Sequence, residues 1–250
     1  MIPKVTKWLE EQGFTLEMRT AACFRKAGFE VRQSSYYVDP ESGKNREIDV
    51  IAFAPDKDRH GIIKIIFVVE CKSSNKPWSL LCSPDVLVGH NIFPAFSVTS
   101  EKTFRMLCDL KVSELIKKWP WLKKNKLAAY SVRQAMSDSD VAYAAAISVT
   151  KASNFYVEQS MSYMFAFPII VVNSPILQCT LDENVEIEVK EVTEGEWLFF
   201  ANENFGNCIR VISIDRLPLF IEEALKLSNQ ICEDLKPEQE KVLESWKRQN

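Results

Sequence analysis

The sequence predicts an α/β fold, one domain over residues 1–250 with a mixed central sheet flanked by helices, a helical insertion and C-terminal antiparallel strands. Three observations predict it. Residues 62–72 (IIKIIFVVECK) and 164–173 (MFAFPIIVVN) are near-continuous apolar runs of strand length, as expected of strands buried on both faces. Residues 14–28 and 140–159 carry apolar residues at helical spacing. Residues 185–190 (VEIEVK) alternate strictly, which describes a half-exposed antiparallel strand. The core is expected over 14–72 and about 140–173, the helical insertion over about 73–139 and a β/α extension over 174–250.

In chain order, the first helix (FTLEMRTAACFRKAG, 14–28) ends at Gly28, a residue suited to the left-handed turn that closes a helix. Phe29 to Tyr37 reads as β, and Asp39-Pro40-Glu41-Ser42-Gly43 as a turn. Residues 46–54 (REIDVIAFA) form the next strand, Pro55 to Gly61 a polar connection, and 62–72 the central strand. From residue 73 the pattern changes to a loop-rich stretch with Trp78, Pro84 and Pro94, then helical patterns near 101–118 and 140–159. A strand reached through such a helical crossover lies parallel to the one it left, so 164–173 is expected parallel to 62–72. Glu194-Gly195 turns the chain into Trp197 to Ala201, residues 208–215 add a strand, and 218–228 and 236–249 close as helices. The 185–190 alternation is scaffold, or a surface for self-association into a homodimer.

Composition excludes several classes. Hydrophobic residues at 46% and charged residues at 26% disfavour disorder and fibrous architecture. With 31 Lys plus Arg against 34 Asp plus Glu, a polyanionic partner needs a local basic patch. The two histidines, His60 and His90, lie in no HExxH or Cys/His cluster, which removes zinc and histidine-based nuclease chemistry. The seven glycines are never closer than eleven apart, so nucleotide-binding glycine loops and the GxSxG elbow are absent. Seven scattered cysteines without a CxxC read as reduced thiols. The N-terminal MIPKVTKWLEEQGF lacks the apolar core and cleavage site of a signal peptide, and no apolar run approaches the ~20 residues of a bilayer span. The expectation is a cytoplasmic protein without membrane association.

Charge then stands where a central sheet wants apolar residues. On the 46–54 strand Glu47 and Asp49 alternate with Ile48 and Val50, which places Asp49 on the face of Ile51 and Phe53. On the 62–72 strand Glu70 and Lys72 share the face of Ile66 and Val68 at the carboxyl end of the run. A buried carboxylate or ammonium is costly unless paired or bound to an ion. Two carboxylates from adjacent strand ends suit a hard divalent cation, and a lysine beside them can orient water and steady charge on a phosphate. Glu17 shares a helix face with Phe14, Ala21 and Phe24, so it reads as a further, water-mediated ligand or as an ordinary helix residue. The competing structural account makes Asp49, Glu70 and Lys72 a buried ion pair or strand-end caps.

An acidic helix with Glu17, then Asp49 inside REIDVIAF, then Glu70-Cys71-Lys72 closing a hydrophobic strand resembles the PD-(D/E)XK nuclease superfamily, the restriction-endonuclease-like fold. The resemblance covers residues 14–72, with 164–173 as the fourth core strand. It implies that Asp49 and Glu70 ligate Mg²⁺, with Mn²⁺ able to substitute, and that the Cys71 carbonyl completes the protein ligands. It also implies that Lys72 handles the nucleophilic water and that Glu17 matches an acidic helix position found in part of the superfamily. Ile48 stands where the name-giving motif has proline. The implied activity is Mg²⁺-dependent hydrolysis of DNA phosphodiester bonds by an endonuclease of restriction, phage defence or DNA processing. Its rivals are a non-catalytic nucleic-acid-binding or assembly subunit with the same fold, and an RNA-cleaving effector.

Secondary features are weaker. Lys117, Lys118, Lys123, Lys124 and Lys126 surround Trp119 and Trp121, either as a phosphate-holding and base-stacking patch or as a solvated helix end with inward tryptophans. Tyr36 and Tyr37 line a substrate groove or simply pack in their strand. Glu47 is expected to pair with Arg46 or Lys44, the thiol of Cys71 to face the core, and both histidines to lie in loops or on the surface.

Overall fold

The computed structural model describes residues 1–56, 60–87, 97–110, 114–115, 118–119, 127–200 and 206–249. Helices α1 (Ile2–Glu11) and α2 (Phe14–Lys26) meet at Gly13, whose φ of 86° supplies the left-handed turn between them. Strands β1 (Glu30–Val38), β2 (Asn45–Phe53) and β3 (Ile63–Lys72) follow as an antiparallel meander. Next come β4 (Trp78–Ser83), β5 (Val98–Thr99), α3 (Glu101–Asp109), β6 (Ala128–Gln134) and α4 (Val141–Glu158). The chain ends with β7 (Tyr163–Val172), β8 (Ile176–Leu181), β9 (Ile187–Val192), β10 (Glu194–Phe200), β11 (Gly206–Ser213), α5 (Leu217–Asp234) and α6 (Lys236–Gln249).

Among the described residues eleven strands share one mixed sheet, in the order β1-β2-β3-β7-β11-β10-β6-β4-β8-β9, with β5 added to β7. The two long apolar runs are its centre. β3 and β7 pair in parallel from Ile63↔Tyr163 to Lys72↔Val172, the relation the crossover argument requires. Side chains alternate between two cores, as strand geometry demands. Ile65, Phe67 and Val69 of β3 face α2, α3 and α5, while Ile66 and Val68 face α4. Phe67 anchors the first core, with ring centroids 5.2 Å from Phe167 and 5.7 Å from Phe29. α4 buries a small-residue face (Ala142, Ala145, Ala146, Val149, Ala152, Ser153), which lets it lie close to the sheet.

The expected helical insertion is corrected. Residues 73–139 contribute β4, β5 and β6, and only Glu101–Asp109 of the 101–118 pattern forms a described helix of any length. The C-terminal strands are not simply antiparallel either, since β11 runs parallel to β7, β10 to β6 and β8 to β4. The missed strands are short and rich in Ser, Ala and Cys (WSLLCS, AAYSVRQ), so little local β signal marks them. Their pairing comes from partners distant in sequence.

Candidate active site

β2 and β3 pair only from Phe53↔Ile66 to Val50↔Val69, although β2 stays paired to β1 back to Asn45 and β3 to β7 through Lys72. The sheet therefore forks just beyond Val50, and Asp49 and Glu70 are the first residues past the split. The cores show a local rotation of β2 here. Ile48 and Ile51 both pack on the α4 side, whereas Val50 and Ala52 pack on the α2 side. Ser34 of β1, aligned with Asp49 by the flanking register, has the left-handed φ of 50°. The expected sharing of one face by Asp49, Ile51 and Phe53 gives way to an Asp49 carboxylate lying across the fork. Its Oδ2 accepts the Cys71 backbone N–H at 2.6 Å, in place of the missing strand partner.

A strand residue's N–H and C=O point to the same neighbour, so the Cys71 carbonyl faces this gap as well. Its thiol lies in the core on the opposite side, beside Thr20, and burial pushes its pKa well above the usual value. Glu70 is buried at 6% exposure. Lys72 Nζ donates to its Oε1 at 2.5 Å, and Ser148 Oγ of α4 donates to its Oε2 at 3.0 Å. Ser148 also bonds the buried Tyr37 hydroxyl, so a Tyr37–Ser148–Glu70 chain fixes this carboxylate. Tyr36 is exposed and faces away. From within α4, Lys151 Nζ reaches Asp39 (3.2 Å) and Glu41 (2.8 Å), tying the helix to the β1–β2 turn.

Glu17 approaches from α2. Burial, then the charges of Asp49, Glu47 and Glu70, raise its pKa from the ordinary 4.5 to about 7 against the opposing pull of Lys72. The carboxyls of Asp49 and Glu70 are likewise raised, by burial first. In Asp49 the Cys71 N–H and Lys72 oppose the shift, and in Glu70 the Asp49 charge adds to it. The Lys72 ammonium is held charged by Glu70 and Asp49 despite burial. Three carboxylates thus face one lysine, leaving a surplus of negative charge that a proton or a cation must offset.

The donor set suits a hard cation by kind of atom and charge: Asp49, Glu70 and the Cys71 carbonyl, with Glu17 one water further out. A carboxylate has about four acceptor positions, so Glu70 retains capacity beyond Lys72 and Ser148. Among the described residues no three His, Cys, Asp or Glu side chains form a ready-made metal group. A cation here would rely on the backbone carbonyl and on its own waters, as Mg²⁺ commonly does.

Other expected residues fall elsewhere. Trp119 is fully buried, stacks edge-on against Phe165 and donates Nε1–H to Asp234 at 2.9 Å, which overturns a base-stacking role for it. Lys118 is exposed and reaches the same Asp234 at 3.6 Å. Lys117, Lys123, Lys124 and Lys126, with Trp121 and His90, lie outside the described residues. His60 is exposed. Arg46 leans toward Asp39 at 3.9 Å instead of Glu47, which is solvent-exposed at the mouth of the fork. Ser148 was missed by sequence reasoning. Its only signal is a hydroxyl within an alanine-rich helix that must pack on a charged strand end.

No family model, curated protein or solved structure matches the chain.

Proposed function

We propose that this protein is a Mg²⁺-dependent phosphodiesterase of the restriction-endonuclease-like type, an endonuclease hydrolysing DNA in restriction, phage defence or DNA processing. The observation that carries the reading is the fork. It brings Glu17, Asp49, Glu70 and Lys72 from three elements to one place and leaves their charge unbalanced. The Asp-to-Glu-x-Lys order on adjacent strands and the parallel β3–β7 pair support the same reading.

Asp49, Glu70 and the Cys71 carbonyl hold Mg²⁺ in this reading. When bound, Mg²⁺ supplies Lewis acidity at the phosphate and lowers the pKa of the attacking water. Lys72 leaves Glu70 to donate to the phosphate oxygens and steady the charge that develops there. Glu17, with a pKa near neutrality, exchanges a proton with solvent water at the rim. Ser148 and Tyr37 keep Glu70 in its rotamer while Lys72 moves.

One observation favours a second reading. Lys72 already sits on Glu70 and Asp49 on the Cys71 N–H, as in a self-satisfied strand end of a non-catalytic nucleic-acid-binding subunit. The test is incubation of the full chain with plasmid, linear and single-stranded DNA and with RNA, with and without Mg²⁺ or Mn²⁺. The expected result is metal-dependent DNA cleavage, reduced at least about 10³-fold in Asp49→Asn, Glu70→Gln and Lys72→Ala proteins whose circular dichroism is unchanged. Undiminished cleavage by Lys72→Ala contradicts the role given to it. Binding without cleavage across the panel establishes the second reading, and cleavage of RNA alone reassigns the substrate.

A further inference from the structure

β9 closes one end of the sheet, and among the described residues no strand pairs with its outer edge. All but the last of its residues are exposed, including Ile187 at 78% and Val189 at 54%. A six-residue edge with exposed apolar side chains invites pairing with another strand. The β8–β9 hairpin fixes which backbone groups are free to pair. Asp182 N–H donates to the Glu186 carbonyl, so hydrogen-bonded pairs recur at Thr180↔Glu188 and Gln178↔Lys190. Ile187, Val189 and Glu191 therefore point their N–H and C=O outward.

We propose that the occupant of this edge is a second copy of the same strand, paired antiparallel about a two-fold axis at Val189. An antiparallel register centred on any residue of the strand matches outward groups to outward groups, and charge chooses among them: a two-fold at Ile187 sets Glu186 against Glu188, and one at Glu191 sets Glu191 against its own copy. A two-fold at Glu188 sets Glu188 against its own copy, and one at Lys190 sets Lys190 against its own copy. The two-fold at Val189 places Glu188 opposite Lys190 of the second copy, and Lys190 opposite Glu188. These fall at non-hydrogen-bonded positions, where cross-strand side chains come closest. Val189 meets Val189, and Ile187 exchanges backbone hydrogen bonds with Glu191. The contact is isologous and closes at two copies, so it consumes the edge instead of propagating a fibre. On the same face Leu181 and Cys179 of β8 align with Ile187 and Val189, so the apolar strips of the two copies become continuous. The inference is independent of the nuclease reading.

The test is sedimentation velocity of the full chain up to about 100 μM, a range that detects micromolar association. The wild-type protein is expected to dimerise. Glu188→Lys alone and Lys190→Glu alone each set like charges across both close pairs and are expected to weaken dimerisation about tenfold or more. The double swap Glu188→Lys/Lys190→Glu is expected to restore it. Mixing the two single variants is expected to give a heterodimer, because one then presents lysine at both positions and the other glutamate at both. A wild-type monomer throughout the range overturns the proposal, as do dimers indifferent to the single swaps or single variants that fail to pair with each other. The charges are solvent-exposed, so a folded monomeric variant is a clear reading, checked by unchanged circular dichroism.

Discussion

At the β10–β11 pair, Glu196 and Arg210 stand opposite each other in register, their side chains 3% and 14% exposed, with Arg210 Nη2 donating to Glu196 Oε1 at 3.1 Å. At the β2–β3 fork, Glu17, Asp49 and Glu70 face Lys72 as the one cation among the described residues that acts on them. Both regions put charge into a sheet, yet one is balanced in place by a guanidinium that cannot lose its proton and the other is not. The first arrangement is neutral in charge as it stands. The second raises the pKa of its carboxyls, and a proton or a cation offsets their charge. On the proposed reading, the difference separates a buried ion pair from a cluster whose surplus charge a cation would offset.

Opposite responses to charge removal sharpen the contrast. Arg210→Met strands the Glu196 carboxylate in the sheet and is expected to cost about 3–5 kcal/mol, read from urea denaturation. Asp49→Asn at the fork relieves like-charge repulsion while its amide oxygen still accepts the Cys71 N–H, so the metal-free protein should be as stable as wild type or more so at neutral pH. Destabilisation of similar size by both substitutions would erase the distinction.

Stability against pH gives the next effect. The Glu17 carboxyl titrates near 7 in the folded protein against an ordinary 4.5, so the folded chain holds a proton that the unfolded chain has released. Its contribution is full below about 4.5 and is lost as pH rises through about 7. Metal-free wild type should therefore lose stability relative to Glu17→Gln over that interval. Mn²⁺ should restore it at the alkaline end and do little at the acid end. A difference in Tm that does not change with pH would place Glu17 away from the cluster. The smallest effect is expected at Ser148→Ala, which removes one hydrogen bond from Glu70. It should lower stability by about 1 kcal/mol and cation-dependent activity about tenfold.

The centre of the fold is legible in the sequence because burial on both faces writes itself locally. The runs at 62–72 and 164–173 could be little other than central strands, and they pair in parallel residue for residue. Asp49, Glu70 and Lys72 stand out for the same reason, as charges inside runs that otherwise exclude water. The strands β4 and β6 were invisible because Ser, Ala and Cys carry little β preference and their partners are far along the chain. The Ser148 contact was equally hidden. It depends on how closely α4 lies on the sheet, which follows from alanines on a face that periodicity alone does not align with Glu70. The rotation of β2 at Asp49 lies beside the left-handed Ser34 of the neighbouring strand, so strict alternation within β2 does not foresee a carboxylate lying across the fork.

The central claim is that the fork receives a divalent cation. A crystal structure of the full chain grown with Mn²⁺, with anomalous diffraction recorded at the manganese edge, tests it most directly. The expected result is one peak bridging Asp49 and Glu70 near the Cys71 carbonyl, with Lys72 drawn off Glu70. An intact Lys72–Glu70 pair, with no peak at the fork at saturating Mn²⁺, would contradict the account and leave the fork, like the β10–β11 pair, a buried charge cluster of the scaffold.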